Sequence, residues 1–394
     1  MELPIYFDHH ATTPIAPSVL ESMMPYLTKS FGNASSTTHA FGQQARLAVE
    51  QARKQIADLI GASPEEILFT SGATESDNLA IKGVADGYRR RGNHIITTQI
   101  EHSAILDTCK VLERVGFEIT YLPVDKYGMV DPQKVADGIR AETILISVIY
   151  ASNEVGTINP LSAIGEIARQ HGILFHSDAV QGIGKIESNV DRLNVDLMSL
   201  TAHKMYGPKG VGVLYVRQKR PRIRLSPQNY GGGQEGKIRS GTLNVPGIVG
   251  FGQACQLAQT EMQHEAERLT SLRDRLYQGL KNQIDLLHLN GHPAQRLPGN
   301  LNVSIEFVES LTLLEKLEKI ALSTGSACSS NSMTPSGVLT AMGIDESLAR
   351  APIRFGLGRD NTVAEVDYVI LRMIEEIAKL RRLSPLYQMR MVSG

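Results

Sequence analysis

The chain is dominated by short apolar runs that do not alternate. Ile67–Thr70, His94–Thr98 and Glu118–Leu122, with 143–150, 173–176, 195–200 and 211–216, are rich in Ile, Val, Leu and Phe. A strand with one wet face alternates apolar and polar residues, whereas a strand covered on both faces does not. Between the runs lie amphipathic stretches at 75–90, 104–115 and 162–171. That order predicts an open, mostly parallel α/β sheet covered by helices.

The pattern changes after about Gly252. A long helical stretch at 253–282 is followed by a strand-like run at 301–305 and a helix at 310–319. A loop of small residues at 323–337 and a last helix at 362–382 complete the chain. We expect a large domain over 14–256 and a smaller α+β domain made of 1–13 and 257–394. The arm before residue 14 is too short to fold alone and is expected to pack against the smaller domain.

Composition removes several function classes. Lys plus Arg number 40 and Asp plus Glu 41, a net charge of −1. A protein that tracks a phosphate backbone carries a basic excess, so nucleic acid is not an expected partner. No apolar run approaches the length of a membrane span. The first residues, with Glu2, Asp8, His9 and His10, lack a basic start followed by an apolar stretch, so no export signal is expected. The three cysteines, Cys109, Cys255 and Cys328, are too few and too far apart for a disulfide framework or a zinc ribbon. The cytoplasm is the expected compartment. No intrinsic metal is expected: His9 and His10 are adjacent and point to opposite sides of an extended chain.

In open α/β sheets, ligands bind beyond the carboxyl ends of the strands. After the run at 67–70 comes Ser71-Gly72-Ala73-Thr74, opening a helix whose free N–H groups suit a phosphate; a plain capped helix start reads the same way. His102 follows the run at 94–98, where a lone histidine is more often a cap or a satisfied core residue than a functional group. Asn153 follows 143–150, as a turn residue or a site residue. Asp178 and Gln181 follow 173–176; a carboxylate there needs a cationic partner. Thr201, His203 and Lys204 follow 195–200. A strand-end lysine either extends its head to water or forms a Schiff base. Together these groups meet the needs of pyridoxal phosphate: a lysine for its aldehyde, a carboxylate for its ring nitrogen and a cup for its phosphate.

Seven segments carry a resemblance to a known family. They are Ala11-Thr12-Thr13, residues 71–76, Glu101-His102, Asp178-Ala179-Val180-Gln181, His203-Lys204, Arg239-Ser240-Gly241-Thr242 and Gly325-Ser326-Ala327-Cys328. In order along nearly the whole chain, they resemble cysteine desulfurases of the NifS/IscS type, which belong with the class V aminotransferases. The resemblance implies the fold-type I architecture of pyridoxal-phosphate transferases, with a seven-stranded sheet and a smaller domain. It implies that Lys204 is the Schiff-base lysine, that His102 stacks on the ring and that Asp178 holds the ring nitrogen. Gln181 is implied at the ring's phenolic oxygen, with Asn153 on the same edge. Ala73, Thr74, Thr201 and His203 would form the phosphate cup, and Thr242 would reach the phosphate of a neighbouring subunit in a homodimer. Arg354 would clamp the substrate carboxylate and Asn33 would orient the substrate. Ala34 stands where the family usually has proline.

The cysteines separate by context. Cys109 sits beside Val111 and Leu112, and Cys255 follows Phe251, so both read as buried thiols. Cys328 lies among Ser, Gly, Ala and Asn, an exposed loop that suits a nucleophile. The resemblance implies that Cys328 takes the sulfur of L-cysteine as a persulfide, releases L-alanine, and passes the sulfur to acceptors for iron–sulfur cluster assembly or tRNA thiolation. Cys328 would at most ligate a cluster transiently on a scaffold partner. The tail at 380–386 resembles a segment that docks such a scaffold. Another class V reaction, selenocysteine lysis or transamination, is the alternative; it would not need this loop.

Overall fold

The computed structural model describes residues 3–218, 222–325 and 335–393. In chain order its strands are β1 (Ile5–Tyr6), β2 (Ile67–Thr70), β3 (His94–Thr98), β4 (Glu118–Leu122), β5 (Thr143–Ser147) and β6 (Leu174–Asp178). They continue with β7 (Leu197–Thr201), β8 (Gly212–Val216), β9 (Leu287–Asn290), β10 (Asn300–Ile305), β11 (Ile320–Ala321) and β12 (Pro352–Gly356). The main sheet has seven strands in the order β2-β8-β7-β6-β5-β3-β4. Only β8 runs against its neighbours, so the sheet is mostly parallel as expected. Strands β2, β3, β5, β6 and β7 are buried at every position, which is why their sequences do not alternate.

Differences in extent have local causes. The run at 143–150 pairs only to Ser147; beyond it the backbone turns through Ala151, which bridges Ile158. Asp178 is not beyond its strand but is the last residue of β6. Helices Pro17–Thr28 and Ala40–Ile60, and strands β9 and β12, are further elements of the fold.

The long helix begins at Val245, earlier than its Leu-rich part suggests, and runs to Lys281. Its first half is lined with Gly and Ala, which let it pack closely against Ala40–Ile60. Val245, Ile248, Phe251, Ala254 and Ala258 join the core around the main sheet. Leu269, Leu272, Leu276 and Leu280 join a second core. That second core lies against the antiparallel sheet β12-β10-β9 and helix Val363–Leu383, and also holds Ile5 and Phe7 of the arm. The expected boundary at 256/257 thus falls inside one helix that feeds both cores. Val338, Leu339, Met342 and Ala349 pack into the first core.

Candidate active site

From β3 the chain passes to β4 on one side, then returns to build β5, β6 and β7 on the other. Strands β2 to β7 all end at one edge of the sheet, and that reversal opens a crevice there. It is a cleft of about 480 Å³. Lys204, Asp178, His102, Gln181 and Asn153 line it, with Ala73, Thr74, Thr201 and His203 towards one end and Arg354 entering from β12.

Lys204 ends a 3-10 turn, Ala202–Lys204, directly after β7. Its Nζ donates to the carbonyls of His10 at 2.5 Å and Ala11 at 2.6 Å, so the N-terminal arm meets the lysine. Tyr206, just beyond, has φ of 64°, a conformation that a bulky residue keeps only when held. Its N–H donates to Thr13 Oγ1 at 2.8 Å, its hydroxyl donates to Glu265 at 3.0 Å, and the same hydroxyl accepts from Arg359 N–H at 2.6 Å.

Asp178 is buried at the end of β6, and its Oδ1 accepts from Val180 N–H at 3.0 Å. Burial pushes its carboxyl above the ordinary range, against the pull of His102 and Lys204. His102 is both things its position allowed. It caps helix Ser103–Glu113, its Nδ1 accepting from Ala104 N–H at 3.1 Å, and its ring lines the cleft. That bond leaves the ring proton on Nε2.

At the other end, helix Ala73–Tyr88 opens on Gly72. A Cβ on Gly212 would sit 2.7 Å from Gly72 Cα, so β8 can begin here only with glycine. Glu75 accepts from Ser71 N–H at 2.7 Å and from Arg239 at 2.7 and 3.1 Å. Burial alone would raise its pKa, but Arg239 and Ser71 hold it low, and its charge is matched. His203 bonds Thr12 Oγ1 at 3.1 Å and is brought down to about 4 by burial and by Lys204, Lys209 and Lys185. It is a neutral polar group at pH 7, beside Lys209, which also lines the cleft.

Arg354 is 1% exposed. It donates from Nη2 to Asp8 Oδ1 at 2.7 Å and from Nη1 to the Asn153 carbonyl at 3.0 Å. Its Nε is buried with no hydrogen-bond partner among the described residues, a donor in reserve for a carboxylate. The other expected residues lie elsewhere. Asn33 is exposed, is not part of the lining, and its Oδ1 accepts from Ser35 N–H at 2.9 Å. Thr242 is exposed and also outside the lining. Cys328 falls outside the described residues.

Sequence reading missed several buried groups here. Asp77 lines the cleft, 3.8 Å from His176 Nε2. Burial and the neighbouring Asp178 raise it, and burial lowers His176 to about 3. Glu101 is raised to about 8 by burial, although Ile149 N–H and Thr98 Oγ1 donate to it. A visible signal was an acid inside the apolar face that Leu79, Ala80, Ile81 and Val84 form.

These residues fit pyridoxal phosphate. A buried carboxylate, an imidazole fixed by its cap, a lysine between them and a helix start with neutral and cationic partners are the donor set this cofactor requires. A family model described as aminotransferase class-V matches residues 5–369. The protein named cysteine desulfurase IscS from Anaeromyxobacter dehalogenans is 56% identical over 389 residues, covering 99% of this chain and 96% of that protein. The protein of the same name from Photorhabdus laumondii is 52% identical over 391 residues, with 99% and 96% covered. A solved structure titled NifS-like protein superposes with a TM-score of 0.89 at 40% identity, covering 95% of this chain and 99% of that one. Another, titled SspA in complex with cysteine, gives 0.80 at 40% identity, covering 90% and 98%.

Proposed function

The chain belongs to the class-V aminotransferase family, in its cysteine desulfurase branch, and from that premise we propose how its residues divide the work. The activity is the removal of sulfur from L-cysteine, with pyridoxal phosphate as cofactor. When bound, the cofactor supplies an electron sink for the substrate carbons. Lys204 would hold it covalently, and the lysine amine would be the group that moves the substrate α-proton. Asp178 would partner the ring nitrogen, and His102 would cover the ring. Ala73, Thr74, Thr201 and His203 receive the phosphate, joined by Thr242 from a neighbouring copy in a homodimer. Arg354 takes the substrate carboxylate through its unused N–H groups, and the resemblance adds Asn33 as a residue that orients the substrate, although it lies outside the lining here.

Cys328 is the nucleophile in this reading. Its thiolate attacks the substrate sulfur; an S–S bond forms and the Cβ–S bond breaks. The electron pair stays with the carbon skeleton, which is protonated to L-alanine. The other thiols do not compete. Cys109 is buried and pushed up to about 12, and Cys255 is buried and raised further. Both flanks of the 326–334 segment are anchored near the cleft. Ser323 pairs with Arg354, and Ser336 Oγ donates to Glu154 Oε2 at 2.6 Å.

The sulfur then passes to an acceptor, and we propose iron–sulfur scaffold proteins or tRNA-thiolating enzymes as its class. No helix among the described residues is long and apolar enough to cross a membrane. Buried free thiols at Cys109 and Cys255 suit a reducing cytoplasm. We also propose that the large unit over 14–256 binds the cofactor and the smaller unit carries the thiol.

The convergence of Lys204, Asp178, His102 and Arg354 on one cleft carries this reading. The test supplies L-cysteine and a reductant and measures sulfide and alanine. Cys328→Ala is expected to keep the cofactor's yellow absorbance and lose most turnover. Lys204→Ala is expected to lose the borohydride-fixable cofactor. Full sulfide release by the first variant, or cofactor fixed through another lysine in the second, would overturn the assignments.

A further inference from the structure

Gln181 is 3% exposed, and on shape alone its amide fits either way round. Its neighbours decide the orientation. Lys185 Nζ lies 2.8 Å from Oε1. The His10 carbonyl, 3.0 Å from the other end of the amide, can only accept, so the atom that faces it is the amide nitrogen and the one that faces Lys185 is the carbonyl oxygen. His10 Nδ1 lies 3.0 Å from the same oxygen, so the imidazole carries its proton on Nδ1. His10 Nε2 is then bare, and it has no hydrogen-bond partner among the described residues. At the other end of the amide, Gln181 Nε2 donates to the His10 carbonyl at 3.0 Å. One amide N–H remains, and Gln181 lines the cleft beside Asp178 and Lys204.

Lys185 stands behind this amide, away from the cleft. It borders a void of about 20 Å³, room for about one water, with His9, His10, Thr13, Tyr206 and Glu265. The charged groups that act on it are Lys204 and Arg354, which disfavour its charge, and Glu265, which favours it. Burial is the largest influence and brings it down to about 7, so even its neutral amine keeps N–H groups to donate. Sequence reading passed over it because nothing local marks a lysine four residues past Gln181.

We propose that Lys185 and His10 are positioning residues for Gln181: they occupy its carbonyl from behind and so present its amide N–H to a negatively charged oxygen on the cofactor ring. This rests on the reading that pyridoxal phosphate is held by Lys204. A donor fixed at that oxygen, with a cation behind it, stabilises negative charge on the ring. The Schiff-base proton is then held less tightly. The mutual bonds of Lys185, His10 and Gln181 make the orientation a property of the set rather than of Gln181 alone.

The experiment loads wild type, Lys185→Met, Lys185→Arg and Gln181→Glu with pyridoxal phosphate and titrates the visible absorbance against pH, without substrate. Lys185→Met is expected to raise the midpoint by roughly one pH unit. Lys185→Arg, still a pure donor, is expected to stay near wild type. Gln181→Glu keeps both acceptor contacts but has no N–H to offer, so it should shift in the same direction as Lys185→Met. A variant carrying both Lys185→Met and Gln181→Glu should shift no further than the larger single change, because both remove one interaction. A Lys185→Met midpoint equal to wild type overturns the proposal. If Lys185→Met fails to fold or to hold cofactor, an unshifted Gln181→Glu overturns it instead. A wild-type protein that develops no visible band contradicts the cofactor reading beneath, before any variant is compared.

Discussion

Arg354 donates from Nη2 to Asp8 Oδ1 at 2.7 Å, across 346 positions of sequence. The guanidinium is 1% exposed as a side chain and the carboxylate 17%. A buried cation left without its partner is costly, so the pair fastens the N-terminal arm to β12. We predict that Asp8→Ala lowers stability by about 2–4 kcal/mol, read by denaturant unfolding of the cofactor-loaded protein. A carboxylate ligand should recover part of that loss, because it brings a new anion to Arg354. L-alanine is therefore expected to raise the melting temperature more in the variant than in wild type. Equal shifts in the two proteins would count against Arg354 as the carboxylate site.

Glu101 links the site to pH. Its folded pKa, raised to about 8 mainly by burial, lies above its unfolded value near 4.3. Its contribution to stability is therefore fully present below the unfolded value and is lost as pH rises through about 8. We predict that wild type loses stability relative to Glu101→Gln between these limits, by up to a few kcal/mol at about 1.4 kcal/mol per unit. Parallel stability curves from pH 5 to 8.5 would refute a raised Glu101.

Thiol labelling separates the cysteines. With Cys109 and Cys255 buried and their thiols raised, iodoacetamide at pH 7.5 should modify Cys328 alone in the folded protein and all three cysteines after denaturation. Mass spectrometry of digested protein reads the sites. Labelling of Cys109 in the native state at the rate of Cys328 would be the contrary result.

Gly212 gives a steric test. A methyl group here would press on Gly72 at 2.7 Å, and both lie in backbone with little room to yield. Gly212→Ala is predicted to cost about 1–3 kcal/mol and to weaken cofactor retention on dialysis. The helix start at Ala73 must shift to admit the methyl group. Gly116→Ala controls for general destabilisation: Gly116 has positive φ, which Gly212 does not, and only the end of the Arg89 side chain lies near it. It should destabilise without loss of cofactor.

How far the sequence was legible follows from what each feature depends on. Most strands of the main sheet were readable because burial on both faces is written into consecutive residues; β2 and β3 have the expected bounds, as does β4, which lies at the sheet edge and is only partly buried. Lys204, Asp178 and His102 were readable because Asp178 ends its strand and the other two follow theirs closely, and parallel strands bring their ends to one edge. Strand β12 was missed although it carries Arg354. It is a short run whose identity as a strand rests on pairing with β10, some 50 residues earlier. The two N-terminal helices were passed over because no strand alternates with them.

The sequence alone determined the α/β class, the residue types at the strand ends and the apolar surroundings that bury Cys109 and Cys255. These depend on local pattern: burial, helix starts and the company each residue keeps. Tertiary structure decided which groups share charge and protons. Asp8 meets Arg354, Lys185 and His10 fix Gln181, and Asp77 lies within reach of His176. Coulomb and hydrogen-bond energies act over a few ångströms of space, and distance along the chain does not predict them. The orientation of the Gln181 amide and the ionisation of the buried acids therefore exist only in the folded molecule.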